Sequence, residues 1–249
     1  MAGRNTYRTR ALVLQHTRLS ETDLILTLLR ENGEQARAVA KGARKPGGRL
    51  ASRVQLFSTI DVLLARGRSL DVVAEAALED ARPRLTGDLD KLSAGAAVLE
   101  CARLTCYEDA PDPFLYPVTA RTLDVMAGTD DPQSLAVLAS AHLFKVLSHQ
   151  GWRPETRSCV ACGDEHPTRF SAIAGGALCE SCARDVEGAT PATENQLAWV
   201  DALVGARLDV LAGSACDVGT ASWLATQAHL WGTTHLEARL KAWEFLLSL

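Results

Sequence analysis

The sequence predicts a multi-domain α+β chain: a small five-stranded barrel in the first eighty residues, then an all-helical domain that carries a four-cysteine element. Three observations predict it. Short β-like runs separated by turn residues fill residues 9–76, apolar residues recur at three- and four-residue spacing after Pro83, and two Cys-x-x-Cys pairs begin at Cys159 and Cys179. At 249 residues with 47% hydrophobic content, the chain can bury a real core, which excludes disorder throughout.

The first strand is read over Thr9 to Thr17, where apolar and polar residues loosely alternate, and the second over Asp23 to Arg30. Leucine makes helix a rival for the second. Asn32-Gly33 decides for strand, because it can supply two positive φ angles of a tight hairpin before Gln35 to Ala40 resumes the pattern. Lys41 to Arg49 holds three glycines, a proline and four cations, and is expected to be an exposed, mobile basic loop. Two further β-like runs, Val54 to Ala65 and Leu70 to Ala76, flank the turn Arg66-Gly67-Arg68-Ser69. Five short strands in this compass fit a closed oligonucleotide-binding (OB-fold) barrel, which leaves no exposed sheet edge.

Beyond Pro83 the spacing of Leu92, Ala96, Leu99 and Cys106 reads as amphipathic helix, as does that of Leu135, Leu138, His142 and Val146. Pro111, Pro113 and Pro117 interrupt between Tyr107 and Val118, and Asp130-Asp131-Pro132 precedes a helix over Gln133 to Gln150. After the cysteine segment a helical run opens at Thr190-Pro-Ala-Thr-Glu and continues through Leu211, and a long helical pattern closes the chain from Ala221 to Leu249. The domains are therefore drawn at 1–80 and 81–249, with 157–186 as an insertion in the second.

Cys159, Cys162, Cys179 and Cys182 have the spacing of a tetrahedral four-thiolate Zn2+ site, with Gly163 and Gly175-Gly176 supplying the bends. Four protein ligands leave no open position for water or substrate, so one structural ion is expected rather than a catalytic one. Arg157, Arg169 and Arg184 are placed to offset the charge of such a centre. Cys101, Cys106 and Cys216 lie among apolar residues and read as core thiols.

The net charge of -4 conceals an uneven distribution. Residues 1–70 hold 13 Lys/Arg against 5 Asp/Glu, and the remainder 13 against 25. A basic front on an acidic chain is the footprint of a polyanion partner, since Lys and Arg displace counterions condensed on phosphates. Arg8, Arg10, Arg37, Lys41, Arg44, Lys45, Arg49, Arg66 and Arg68 are the candidates, with the 41–49 loop as a clamp. Only Tyr7 and Phe57 are aromatic in the first eighty residues, so base stacking is expected to contribute little, and binding should be sequence-indifferent and steeply salt-dependent.

Enzymatic readings fail on the same residues. The only His-x-Glu lies downstream of the cysteines, at His235-Leu-Glu237, whereas zinc deaminases need it upstream. Two Cys-x-x-Cys pairs in a helical setting do not make a thioredoxin-like site, and Gly42 to Arg49 lacks the Lys-Ser/Thr of a phosphate loop. His142 and His149 share a helix face without an acidic partner at ligand spacing, and read as ordinary helix residues. No stretch approaches roughly 18 apolar residues and the start lacks a signal-peptide core, so the chain is expected in the cytoplasm.

Arg10-Ala-Leu-Val-Leu, Glu21-Thr-Asp-Leu-Ile-Leu-Thr-Leu, Ala38-Val-Ala-Lys-Gly-Ala-Arg44 and Arg66-Gly-Arg68-Ser-Leu, in this order and spacing, resemble the N-terminal domain of the RecO recombination mediators. The similarity extends through the helical region and its cysteine insertion. It implies an OB-fold barrel followed by a helical, zinc-bearing domain, and a non-enzymatic role at the nucleoid in recombinational repair. Such proteins bind single- and double-stranded DNA, anneal complementary strands, contact single-strand-binding protein and, with RecR, help load RecA. The family's DNA-binding role falls on Lys41, Arg44 and the neighbouring cations. A pocket for the acidic C-terminal tail of single-strand-binding protein is implied in the helical domain, with Arg121, Lys145, Arg153 and Arg207 as rim candidates. The competing reading is a zinc-ribbon interaction module whose basic front binds an acidic protein.

Overall fold

The computed structural model describes residues 5–45 and 47–249. Pro46 of the predicted basic loop, and the first four residues of the predicted barrel domain, lie outside the described residues. The chain divides into two compact units, residues 1–87 with 99–124, and residues 88–98 with 125–249.

In the first unit, strands β1 (Thr6–Arg18), β2 (Leu24–Arg30), β3 (Gln35–Ala40), β4 (Thr59–Ala65) and β5 (Asp71–Asp80) close a barrel in the order β1-β2-β3-β5-β4. All neighbours are antiparallel except β3 and β5, which run parallel and meet over only two pairs, Ala38 with Asp71 and Val39 with Val72. This is an OB-like closure. Inward alternation places Ala11, Val13, Leu26, Leu28, Ala36, Ala38, Ile60, Val62 and Leu64 in one core, where the alanines of β3 keep the barrel narrow. Helix α1 (Arg49–Arg53) follows β3, and its Leu50 with the adjoining Val54 and Leu56 packs against that core.

Local details depart from the sequence reading for physical reasons. Val54 to Ser58 is not strand. Val54 and Leu56 belong to the barrel core rather than a pleat, Phe57 is turned to φ +68°, and β4 begins only at Thr59. At the β2–β3 hairpin only Gly33 has positive φ (+86°), because the loop is a longer one in which Gly33 N–H donates to the Arg30 carbonyl at 2.8 Å. A Cβ at Gly33 would lie 1.7 Å from the carbonyl oxygen of Asp112, so glycine is required by close approach as well as by angle. Lys41 to Arg49 is not a free loop over its described residues. Gly42 N–H donates to Asp23 Oδ1 (2.8 Å), Arg44 N–H to the Thr22 carbonyl (2.9 Å), and Ala43 is buried.

Helix α2 (Leu89–Thr105) and helix α3 (Leu115–Gly128) each contribute residues to both units. Pro117 sits in the first turn of α3, where its missing N–H would have no intrahelical partner, so the helix starts before it rather than after.

The second unit is built around α4 (Pro132–His149), whose N-terminus is capped by Asp131 accepting from Ser134 N–H at 2.8 Å. α4 is buried over most of its circumference, as a central helix must be, and packs against α5 (Glu194–Gly205), α6 (Leu208–Gly213) and α7 (Val218–Leu236). The two long helical runs predicted at the C-terminal end are broken. The first stops at Ala206, the second where Glu237 adopts φ +48° before α8 (Lys241–Leu246). The domain is also not all helix. β6 (Arg169–Ser171) and β7 (Gly176–Leu178) of the cysteine element form a small sheet with β8 (Thr190–Pro191), which follows it. Among the described residues no helix is long and apolar enough to cross a membrane.

Candidate functional site

The cysteine centre is assembled by backbone turns. Gly163 N–H donates to the Cys159 carbonyl at 2.8 Å with Gly163 at φ +79°, which folds the first Cys-x-x-Cys into a knuckle. Ala183 N–H does the same for the Cys179 carbonyl at 3.0 Å, and the β6–β7 hairpin, turned at Gly175 (φ +85°), brings the second pair back to the first. The four sulfurs of Cys159, Cys162, Cys179 and Cys182 all lie within 4.8 Å of one another, with Cys162 Sγ and Cys179 Sγ 3.8 Å apart. Zinc–sulfur bonds of ~2.3 Å in a tetrahedron require sulfur separations of about 3.8 Å, so the donor set fits a metal ion.

Its electrostatics ask for one as well. Burial opposes ionisation of Cys159, but N–H groups of Cys179, Ala161 and Cys162 outweigh it and hold the thiol down to about 6. Hydrogen bonds that the Cys182 thiol donates to the neighbouring sulfurs push it up to about 12. One thiolate is thus favoured and a second resisted, until a cation offsets their mutual repulsion. Of the arginines expected to balance this charge, Arg169 is held by Glu180 through two bonds (2.9 and 3.0 Å) and Arg157 reaches Asp201 at 3.5 Å. The element is tied to the helical unit by Phe170, fully buried on β6, whose ring lies 5.9 Å from Trp223 and 5.7 Å from Trp231 of α7.

The predicted cations of the barrel separate into paired and unpaired sets. Arg8 bonds Glu75 (3.0 Å) and reaches Asp61 (3.5 Å), and Arg10 bonds Glu79 (2.6 Å), so both are ion-paired across the outer face of β1, β4 and β5. The four carboxylates of Asp71 to Asp80 lower the net charge of +8 over residues 1–70 to +4 over residues 1–80. Arg44 is tied differently, donating to the carbonyls of Ser20 and Glu21 at 3.0 Å each. Arg66 lies 4.9 Å from the Tyr7 ring centroid. Arg37, Lys41, Lys45, Arg49 and Arg68 are exposed and, among the described residues, form no ion pair. The parallel pairing of Ala38 with Asp71 brings the β4–β5 loop, with Arg66 and Arg68, beside the strand that carries Arg37. Arg18, at the end of β1, is an exposed cation that sequence reasoning passed over.

The aromatics of the barrel are already engaged. Phe57 is buried, and Tyr7 stands between Arg30 and Arg66 while its hydroxyl donates to Asp71 Oδ2 at 2.6 Å, which with burial pushes its pKa up to about 12.

The four rim candidates divide between the units. Arg121 lies in the first unit and the other three in the second. Lys145 donates to the carbonyls of Val204 (2.9 Å) and Ala206 (2.6 Å), satisfying the C-terminal end of α5, and Arg153 and Arg207 pair with Asp201 and Asp209. Ala206, next to Arg207, lines an apolar hollow of about 290 Å³ with Trp199, Val210 and Leu211.

Two family models match this chain, one described as Recombination protein O N terminal over residues 1–82, the other as Recombination protein O C terminal over residues 86–244. With an OB-like barrel, a helical unit and a clustered four-cysteine element beneath those matches, the chain belongs to the Recombination protein O (RecO) family of recombination mediators in DNA repair.

Proposed function

We propose that the barrel binds single- and double-stranded DNA through its phosphates without reading sequence, and that the chain uses this surface to anneal complementary strands. One observation carries the reading: Arg37, Lys41, Lys45, Arg49 and Arg68 are exposed and unpaired among the described residues, while the remaining candidates are held in ion pairs, carbonyl contacts or ring contacts. Unpaired cations bind phosphate without first breaking an internal pair. Family membership supports the further steps, that the chain acts with RecR and with the acidic tail of single-strand-binding protein to load RecA, in the cytoplasm at the nucleoid. Arg207 beside its apolar hollow is the best-placed of the four rim candidates for that tail. The role involves no covalent chemistry. Cys159, Cys162, Cys179 and Cys182 would hold one Zn2+, which supplies charge balance and cross-links the two knuckles.

The test is a salt titration of DNA affinity. Lys41→Glu with Lys45→Glu and Arg68→Glu should weaken binding to single and double strands alike, and flatten the single-strand plot of log K against log salt by about 2. Arg44 is left intact because its contacts shape the loop. An unchanged slope would point instead to a basic front that binds an acidic protein.

A further inference from the structure

The outer face of β1, β2 and β3 borders a groove of about 460 Å³, wholly within the first unit. Its floor is a register row, Gln15 opposite Thr27 and Thr27 opposite Arg37, and its wall is the segment from Arg103 to Glu108. In that wall stands Tyr107, 58% exposed. Its backbone is fixed on both sides: its carbonyl accepts the Gln35 N–H at 2.9 Å, and it forms an antiparallel bridge with Ala110. Gln35 Nε2 adds bonds to the carbonyls of Arg103 and Cys106, each 3.1 Å. A large exposed ring on an ordered backbone has little freedom left to lose when a flat partner settles on it.

Two guanidinium groups, Arg37 and Arg103, line the same groove, and neither forms an ion pair among the described residues. Glu108 at the rim disfavours a phosphate at its own end and can accept from the exocyclic amine of a base. We infer that this groove seats one unpaired base, its face against Tyr107 and its flanking phosphate on Arg37 and Arg103. The inference rests on the DNA-binding reading and deepens it: the unpaired phosphate contacts serve either form of DNA, whereas the groove selects the single strand, because a paired base inside a duplex has no free face to offer. Residues 5–80 offer no such ring, because Phe57 is buried and Tyr7 is enclosed by arginines. The turn after α2 supplies it.

The full chain is titrated by fluorescence anisotropy against a labelled oligothymidine of about twenty nucleotides and a blunt duplex of equal length. Tyr107→Ala should weaken the single strand at least about five-fold and leave the duplex unchanged, while Tyr107→Phe keeps the ring and the affinity. Circular dichroism and thermal unfolding check that the exposed substitution leaves the fold intact. Equal affinities for wild type and Tyr107→Ala, or equal losses on both oligonucleotides, overturn the base seat. If the wild type holds neither oligonucleotide, the DNA-binding reading itself falls, and the seat with it.

Discussion

Arg82 shows how much of the barrel's order rests on one side chain. It lies at the end of the strand region with φ +44°, is almost fully buried, and donates to the Phe57 carbonyl (2.8 Å), Thr59 Oγ1 (3.0 Å) and Asp124 Oδ1 (2.7 Å). Its planar fork meets three acceptors in three directions, a geometry an ammonium does not reproduce. Arg82→Ala should destabilise the fold by about 2–4 kcal/mol in urea unfolding, because the buried Phe57 carbonyl and Thr59 hydroxyl lose their partner, and Arg82→Lys should recover less than half of that. In the sequence this arginine looked like any other cation before Pro83. Asp80, 3.4 Å away, is its one neighbour in sequence among these partners, and the others come from residues 57, 59 and 124, which nothing local marks.

At the scale of elements, spacing within a short stretch was readable and contact between distant stretches was not. The β2–β3 hairpin was found from Asn32-Gly33, but the second demand on Gly33 comes from Asp112, some eighty residues away. Gly33→Ala should therefore cost more than the ~1 kcal/mol of a positive-φ alanine, and should displace the turn that holds Tyr107, seen as faster amide exchange at Gln35 and a weaker grip on single strands. The same distance hid Tyr107 from a count of rings confined to the first eighty residues. The cysteine element was legible because metal ligation fixes ligand spacing in the chain itself. Its small sheet was not, as three-residue strands carry no period. Cys179→Ser should abolish binding of the proposed Zn2+ and lower stability by more than about 4 kcal/mol, with a shift in tryptophan emission because Phe170 rests on Trp223 and Trp231. The affinity of the folded fraction for DNA should change little.

Across the whole molecule, the split of charge along the chain pointed to the barrel as the basic partner surface, yet β5 lies on that barrel with carboxylates that take up Arg8 and Arg10. Strand pairing decides which cations stay unpaired, and the composition of a block cannot express it. Stability should also respond to acid through α4. His142 is fully buried, and burial lowers its pKa to about 3 from the ordinary 6.5. The unfolded chain then takes up the proton first, so the contribution is whole above pH 6.5 and declines as pH falls toward 3, by about 1 kcal/mol between 6.5 and 5.5. His142→Gln should remove that slope from urea midpoints measured over the same interval.

The two rungs that join β3 to β5 make this cylinder unequal around its girth. Every other neighbouring pair is laced over at least six residues, so thermal breathing should begin where the lacing is shortest, with deuterium entering at Val39 and Val72 ahead of the β1–β2 ladder. That slit opens between the strand bearing Arg37 and the loop bearing Arg68, so an incoming polyanion that touches both would draw its edges together and slow the exchange.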